Sequence, residues 1–150
     1  MNGIEVLLLN MDEVQRRALK VWQAIPEANK DFRPDPSAMS LFDQVVHAAD
    51  GDAFWHHFLS HRSAEGYVEP QPPATLLQAM ALAEEAYQGY RAWVASLRPG
   101  DLSAGIERPG KYTKTLADYI QRAAFHKAVH IGQALSALRI AGLERPNIWD

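Results

Sequence analysis

The chain of 150 residues contains no cysteine, which excludes disulfides, thiolate metal ligands and a cysteine nucleophile. It also lacks a long apolar run. Val6-Leu7-Leu8-Leu9 falls far short of the roughly 18 residues that a membrane span requires. No positively charged segment precedes it, so a signal peptide is not expected either. An excess of one charge is missing too: fifteen basic against eighteen acidic residues give a net charge of -3. That balance offers no general basic footprint for nucleic acid. Disorder is excluded by the other side of the composition, 47% apolar and 22% charged, which is enough to bury a core. The expectation is one domain over residues 1–150 with no membrane partner, and the missing cysteines fit a cytoplasmic location.

Periodicity predicts four long amphipathic helices. The first covers Ile4 to Ile25, with Ile4, Leu7, Leu8, Met11, Ala18 and Trp22 along one side. Pro26, Pro34 and Pro36 keep the following segment out of a helix. Ser40 and Asp43 form a capping-box-like start for the second helix, which fades near His61 and carries Phe42, Val45, Val46, Ala49, Phe54 and Phe58. A Pro-rich linker, Arg62 to Ala74, leads to Thr75 as cap of a third helix. Its core stripe reads Leu76, Leu77, Met80, Tyr87, Tyr90, Val94 and Leu97. Pro99-Gly100 stops it, and a second long connection contains the turn Pro109-Gly110. Thr115 and Asp118 repeat the capping pattern for the fourth helix, which Gly142 ends as a C′ glycine. The expected architecture is all-α, a four-helix bundle whose two longer connections run along it as crossovers.

Six histidines are what distinguishes this chain. His126 and His130 are four apart on the fourth helix and face the same way, the spacing by which one helix presents two imidazoles to one metal. Ala123, Ala134 and Ala137 share that face, as does Gln133. Two ligands leave a metal under-coordinated, and His47 on the second helix is the best third. It projects at nearly the angle of Phe54 and Phe58, and Gly51 removes a side chain beside it. Asp43 and Asp50 flank it at helical spacing, where they would orient its second nitrogen. A histidine on an apolar helix face is more often a satisfied core group than a ligand; the case rests on all three together. His56, His57 and His61 form a rival cluster at the end of the second helix, where imidazolium is favoured by the helix dipole without any metal.

The segment Ala124-Phe125-His126-Lys127-Ala128-Val129-His130-Ile131-Gly132-Gln133 resembles the H-x-x-x-H-x-G-Q signature of the DinB-like (DinB/YfiT) metal-binding bundles. Leu138-Arg139-Ile140-Ala141-Gly142 and Pro146-Asn147-Ile148-Trp149 resemble that family's ending. Ser40-Leu41-Phe42-Asp43-Gln44-Val45-Val46-His47 resembles its second-helix segment. The resemblance implies a four-helix bundle of unusual crossover topology. It also implies a divalent metal held by His47, His126 and His130, and a frequent homodimer. Relatives of this kind include metal-dependent transferases and an isomerase that use low-molecular-weight thiols; many have no assigned reaction.

Three neutral imidazoles leave coordination positions open for water, thiolate or substrate oxygen. Such a metal activates a nucleophile or polarises an electrophile. A thiol would have to be a diffusible cosubstrate, since the chain has none of its own. Imidazole ligands suit zinc, nickel and iron alike. Asp43, Asp50 and Gln133 are the nearby candidates for a general base, and capping or solvation explains them equally well. Two expectations stand side by side: a metal-dependent thiol transferase or hydrolase, and a metal-binding bundle without catalysis, acting as a sensor or binding module. Assembly as a homodimer also follows from apolar side chains left over by the core stripes, Leu82, Ala86 and Trp93 on the third helix and Val6 to Leu9 on the first.

Overall fold

The computed structural model describes residues 1–108, 110–111 and 113–150; the expected Pro109-Gly110 turn falls on Pro109, outside the described residues. Four helices form α1 (Gly3–Gln23), α2 (Leu41–His61), α3 (Leu76–Ala95) and α4 (Leu116–Ile140). A two-residue antiparallel ladder, β1 (Gly105–Ile106) with β2 (Lys114–Thr115), pairs Gly105 with Thr115 and Ile106 with Lys114.

Each helix begins on a reciprocal cap that satisfies backbone N–H groups otherwise left without partners. Ser40 with Asp43 opens α2 and Thr115 with Asp118 opens α4, as the sequence predicts. Thr75 with Gln78 opens α3 and Asn2 with Glu5 opens α1. Gly142 adopts φ 71° just past α4, the left-handed conformation that favours glycine.

Two apolar clusters fill the bundle, one at each end. The first joins Val21 and Trp22 of α1 with Leu41 and Val45 of α2, Leu76 and Ala79 of α3, and Ala134 and Leu138 of α4. The second joins Ile4 and Met11, Phe58 and Leu59, Tyr90 and Val94, and Leu116 and Ile120. The starts of α2 and α3 therefore lie at the end where α1 and α4 finish. α1 and α4 run parallel to each other, and α2 and α3 run parallel to each other in the opposite direction. Around the bundle α2 packs on α3 and α4, and α1 packs on α4 and α3, which leaves α1/α2 and α3/α4 as diagonals.

This order corrects one expectation about the connections. The linker after α2 does travel the length of the bundle, because it must bring the chain back to start a parallel helix. The connection from α3 to α4 stays at one end and crosses the diagonal, passing through a 3₁₀ turn at Pro99–Ser103 and the β1–β2 ladder.

The buried faces are also rotated from the predicted stripes. Leu77 is 74% exposed, and α3 instead buries Ala79 and Ala83. In α2, Phe42, Val46 and Phe54 are only half-buried, while Gln44, Asp52 and Trp55 turn inward. A helix packed on two neighbours buries the sector between them, and that sector need not centre on its bulkiest residues. The tail after Gly142 is irregular, as expected, and lies along α1. Arg16 and Lys20 donate to the carbonyl of Asp150, and Arg17 sits over the Trp149 ring. Among the described residues no helix is long and apolar enough to cross a membrane.

Candidate metal centre

His47 of α2 and His126 and His130 of α4 come together on the antiparallel α2/α4 face. Their ring centroids are 4.5 Å apart for His126 and His130, 4.6 Å for His47 and His130, and 5.3 Å for His47 and His126. Each ring offers a nitrogen, and these three atoms lie within 4.8 Å of one another. Nε2 of His126 and Nε2 of His130 are 3.1 Å apart. Two nitrogens each ~2.0–2.1 Å from a common ion are separated by roughly 3.0–3.4 Å, so this pair already has the spacing of one edge of a coordination shell. The donor set is three imidazoles, which suits a divalent transition metal. Among the described residues it is the one His, Asp and Glu grouping of this kind.

The site opens outward. His126 is exposed, and His47 and His130 are half-buried, so the pair on α4 lies at the flank of the core and does not point into it. Ala123, Ala134 and Ala137 are buried beside them. Their small side chains bring α2 close to α4, which is how the His47 ring reaches the other two. Burial and the neighbouring His47 and His126 push the pKa of His130 down to about 4, and burial, His47 and Arg122 push His126 down as well. Both are therefore neutral at pH 7, the state a metal requires.

The groups predicted to orient His47 do other work. Asp43 caps α2 and pairs with Arg33 at 2.7 Å. Asp50 accepts from the Tyr67 hydroxyl at 2.5 Å. Both are satisfied by nearer partners, and neither touches a site histidine in the described contacts. The oriented ring is His130, whose Nδ1 lies 2.7 Å from Oε1 of Gln44. Gln44 in turn donates from Nε2 to Gln133 at 3.4 Å. Gln133 thus belongs to the site's surroundings as expected, through an amide partner that spacing did not indicate.

Beneath the rings lies a pair that sequence reasoning missed. Lys127 is 7% exposed and Asp52 is 5% exposed. The Lys127 ammonium donates to Asp52 and, at 2.9 Å, to Gln15; it also lies 4.9 Å from the Tyr87 ring centroid. Burial raises the Asp52 pKa, opposed by the charge and hydrogen bond of Lys127. Together with Ala48, Gly51 and Trp55 the pair lines a void of about 10 Å³ under the three histidines. The available signal was positional: residue 127 falls on the buried period Ile120, Ala123, Ala124, Ile131 and Ala134 of α4.

His57 and His61 stack at 4.4 Å and are satisfied by backbone. Nε2 of His57 lies 2.9 Å from the Glu65 carbonyl, and Nδ1 of His61 lies 2.9 Å from the His57 carbonyl. His56 lies against Tyr90 and Trp93. These contacts account for the three residues at the end of α2 without a metal.

A cleft of about 610 Å³ opens beside His130, lined by Gln44 and Gln133 and by Pro34, Met39, Val129 and Ala137. That volume is in the range of small-molecule sites.

Residues 10–134 match the profile of the DinB superfamily. No functionally curated protein matches the chain. Among solved structures, the chain is similar to a DinB-like protein of Bacillus subtilis, YjoA, with a TM-score of 0.79 and 16% identity over 95% of this chain and 96% of that one. It is likewise similar to YfiT of Bacillus subtilis, described as a probable metal-dependent hydrolase with an unusual four-helix bundle topology. There the TM-score is 0.76 and the identity 17%, over 94% of this chain and 89% of that one.

Proposed function

Because the chain belongs to the DinB superfamily, we propose that it is a metal-dependent transferase: His47, His126 and His130 hold one divalent ion, and a small diffusible thiol is the nucleophile transferred. The observation that carries this reading is the convergence of three imidazole nitrogens at the edge of an open cleft. A divalent ion bound there supplies Lewis acidity, which makes a weak nucleophile reactive near neutral pH.

The surroundings favour a thiol over water. None of the described residues lining the cleft is a carboxylate. The one carboxylate under the histidines, Asp52, is buried against Lys127. Among the described residues no carboxylate lines the cleft to act as general base, and a thiol, with a free pKa of about 8.5, ionises with the least help from a bound metal. The apolar wall of Met39, Val129 and Ala137 would shelter an electrophile, and Gln44 holds the His130 ring in place. A cysteine-free chain that handles thiols is suited to the reducing cytoplasm.

Hydrolysis is the second reading, favoured by the likeness to YfiT and its description as a probable metal-dependent hydrolase. Exposure of His126 is what a non-catalytic binding module would also show. Elemental analysis of purified protein, followed by assays of several thiols and water against model electrophiles, separates the three. One divalent ion per chain is expected, lost in His126→Ala and His130→Ala and retained in His57→Ala and His61→Ala. The transferase reading expects thiol-dependent turnover that requires metal and fails in His47→Ala. Turnover with water alone would favour hydrolysis. Rates equal to those of metal-free protein for every nucleophile would leave the binding module.

A further inference from the structure

A second pocket, of about 140 Å³, is lined by Arg108, Lys111, Lys114, Tyr119 and Arg122. We propose that it is an anion subsite, binding a carboxylate or phosphate group of the small molecule whose reacting atom is brought to the three histidines. The inference rests on the metal-dependent reading above and adds a substrate class to it.

Four cations converge here in a chain whose net charge is -3. Elsewhere among the described residues Arg16 and Arg17 converge on a shared carboxylate, Glu13. Among the described residues, Arg108, Lys111 and Arg122 make no ion pair. Placing like charges around one concavity is unfavourable unless an anion enters it. The pocket is too small for a whole drug-sized molecule and suits one charged group. A nucleic acid would need a longer basic stripe, which the described surface around this pocket does not provide.

The pocket is held by ordered structure and adjoins the histidines. Lys114 lies on β2, paired with the buried Ile106 of β1, and the Leu116 amide donates to the Ala104 carbonyl at 2.9 Å. Arg122 stands one turn before His126 on α4. Trp55 links the pocket's lining to the histidines. Its ring lies 5.6 Å from that of Tyr119 and 5.5 Å from the Arg108 guanidinium carbon, and it also lines the void under His47, His126 and His130.

The test uses full-length protein, wild type and Arg108→Gln/Arg122→Gln, with Arg139→Gln as a control on a remote exposed cation. Inorganic phosphate and succinate are titrated into zinc-loaded samples and followed by amide and indole NMR shifts. Expected are saturable shifts at Arg108, Lys111, Lys114, Arg122 and the Trp55 indole. Affinity should fall at least ten-fold in the double variant and stay unchanged in the control, with metal content unaffected in both. The probe that binds more tightly distinguishes a phosphate from a carboxylate pocket. A second arm uses cobalt-substituted protein and compares mercaptosuccinate and mercaptohexanoate with 2-mercaptoethanol by visible absorption. At least one anionic thiol should bind ten-fold tighter than the neutral one, and the double variant should lose that preference alone. Phosphate and succinate binding that is unsaturable, or undiminished in the double variant, overturns the subsite. So does the absence of any preference among thiols that do reach the metal. Failure of the protein to bind metal would instead remove the functional reading, while the titrations on metal-free protein would still decide the pocket.

Discussion

His130 donates from Nδ1 to the side-chain carbonyl of Gln44 at 2.7 Å, which leaves its Nε2 lone pair aimed toward Nε2 of His126, 3.1 Å away. A hydrogen bond to one ring nitrogen fixes the tautomer and the ring direction at the other. Gln44 is itself buried, at 6% exposure, and steadied by Gln133. The expected outcome for Gln44→Leu is a folded protein whose metal affinity drops about 10–100-fold, read by competition with a chelator of known affinity. Asp50→Asn, which alters only the contact with Tyr67, should leave affinity unchanged. Equal affinities in all three proteins would show that Gln44 does not position the ligand.

The pair of Lys127 and Asp52 should behave as a buried ion pair. Removing one partner leaves a buried charge without compensation, so Lys127→Ala and Asp52→Ala should each cost about 3–5 kcal/mol in urea unfolding. Asp52→Leu combined with Lys127→Met removes both charges and should cost clearly less than either single change. The Gln15 acceptor that Lys127 now satisfies keeps the double variant from being fully neutral. Additive losses in the double variant would contradict this account.

What the sequence makes legible here is what is local. Ser40 with Asp43 and Thr115 with Asp118 mark helix starts because a cap is formed by residues three apart. The convergence of the three histidines is legible because one helical turn separates His126 from His130, and a third imidazole facing them could only come from another helix. Lys127 sits between them on the buried period of α4, but its partner cannot be read there. Its burial depends on Asp52, 75 positions away in sequence, and no periodicity announces such a partner. The same limit explains Asp43 and Asp50: spacing places them near His47, but Ser40, Arg33 and Tyr67 claim them first. The order of packing around the bundle is likewise a tertiary fact, and only the long linker after α2 hints at it.

Acid should loosen the contact between α1 and α3. Asp12 accepts from Arg91 at 2.6 and 2.9 Å and from the Tyr87 hydroxyl. Its hydrogen bond with Arg91, outweighing partial burial, holds its carboxyl below the ordinary value of 3.8. A carboxylate whose folded pKa is depressed binds fewer protons in the folded than in the unfolded chain. Its stabilising contribution is therefore full above about pH 4 and is lost as pH falls through the depressed value. Urea midpoints measured from pH 6 downward should fall below about pH 4. In Asp12→Asn the curve should start lower and fall less steeply. Parallel curves for the two proteins would remove Asp12 from the acid response.

Assembly as a homodimer is the last expectation, and we propose one surface for it. Leu82 and Trp93, expected to be left over on α3, pack against the core of the single chain and supply no argument for a partner. The apolar run of α1 does: Val6 is 50% and Leu9 60% exposed. On α4, Phe125 at 66% adds to the exposed apolar surface. The two helices are neighbours, joined on their outer side by Asn10 donating to Gln121 at 3.3 Å. Exposed apolar side chains on adjacent parallel helices can face their own copies across a two-fold axis, which buries the same patch twice. Light scattering of the wild type should return about twice the 16.8 kDa chain mass at micromolar concentration. Val6→Glu combined with Leu9→Lys lies on α1, outside the histidine cluster, and should yield the single-chain mass with unchanged metal content. A wild-type mass near that of one chain would rule out the dimer. A dimer that survives the double change would place its interface on another face.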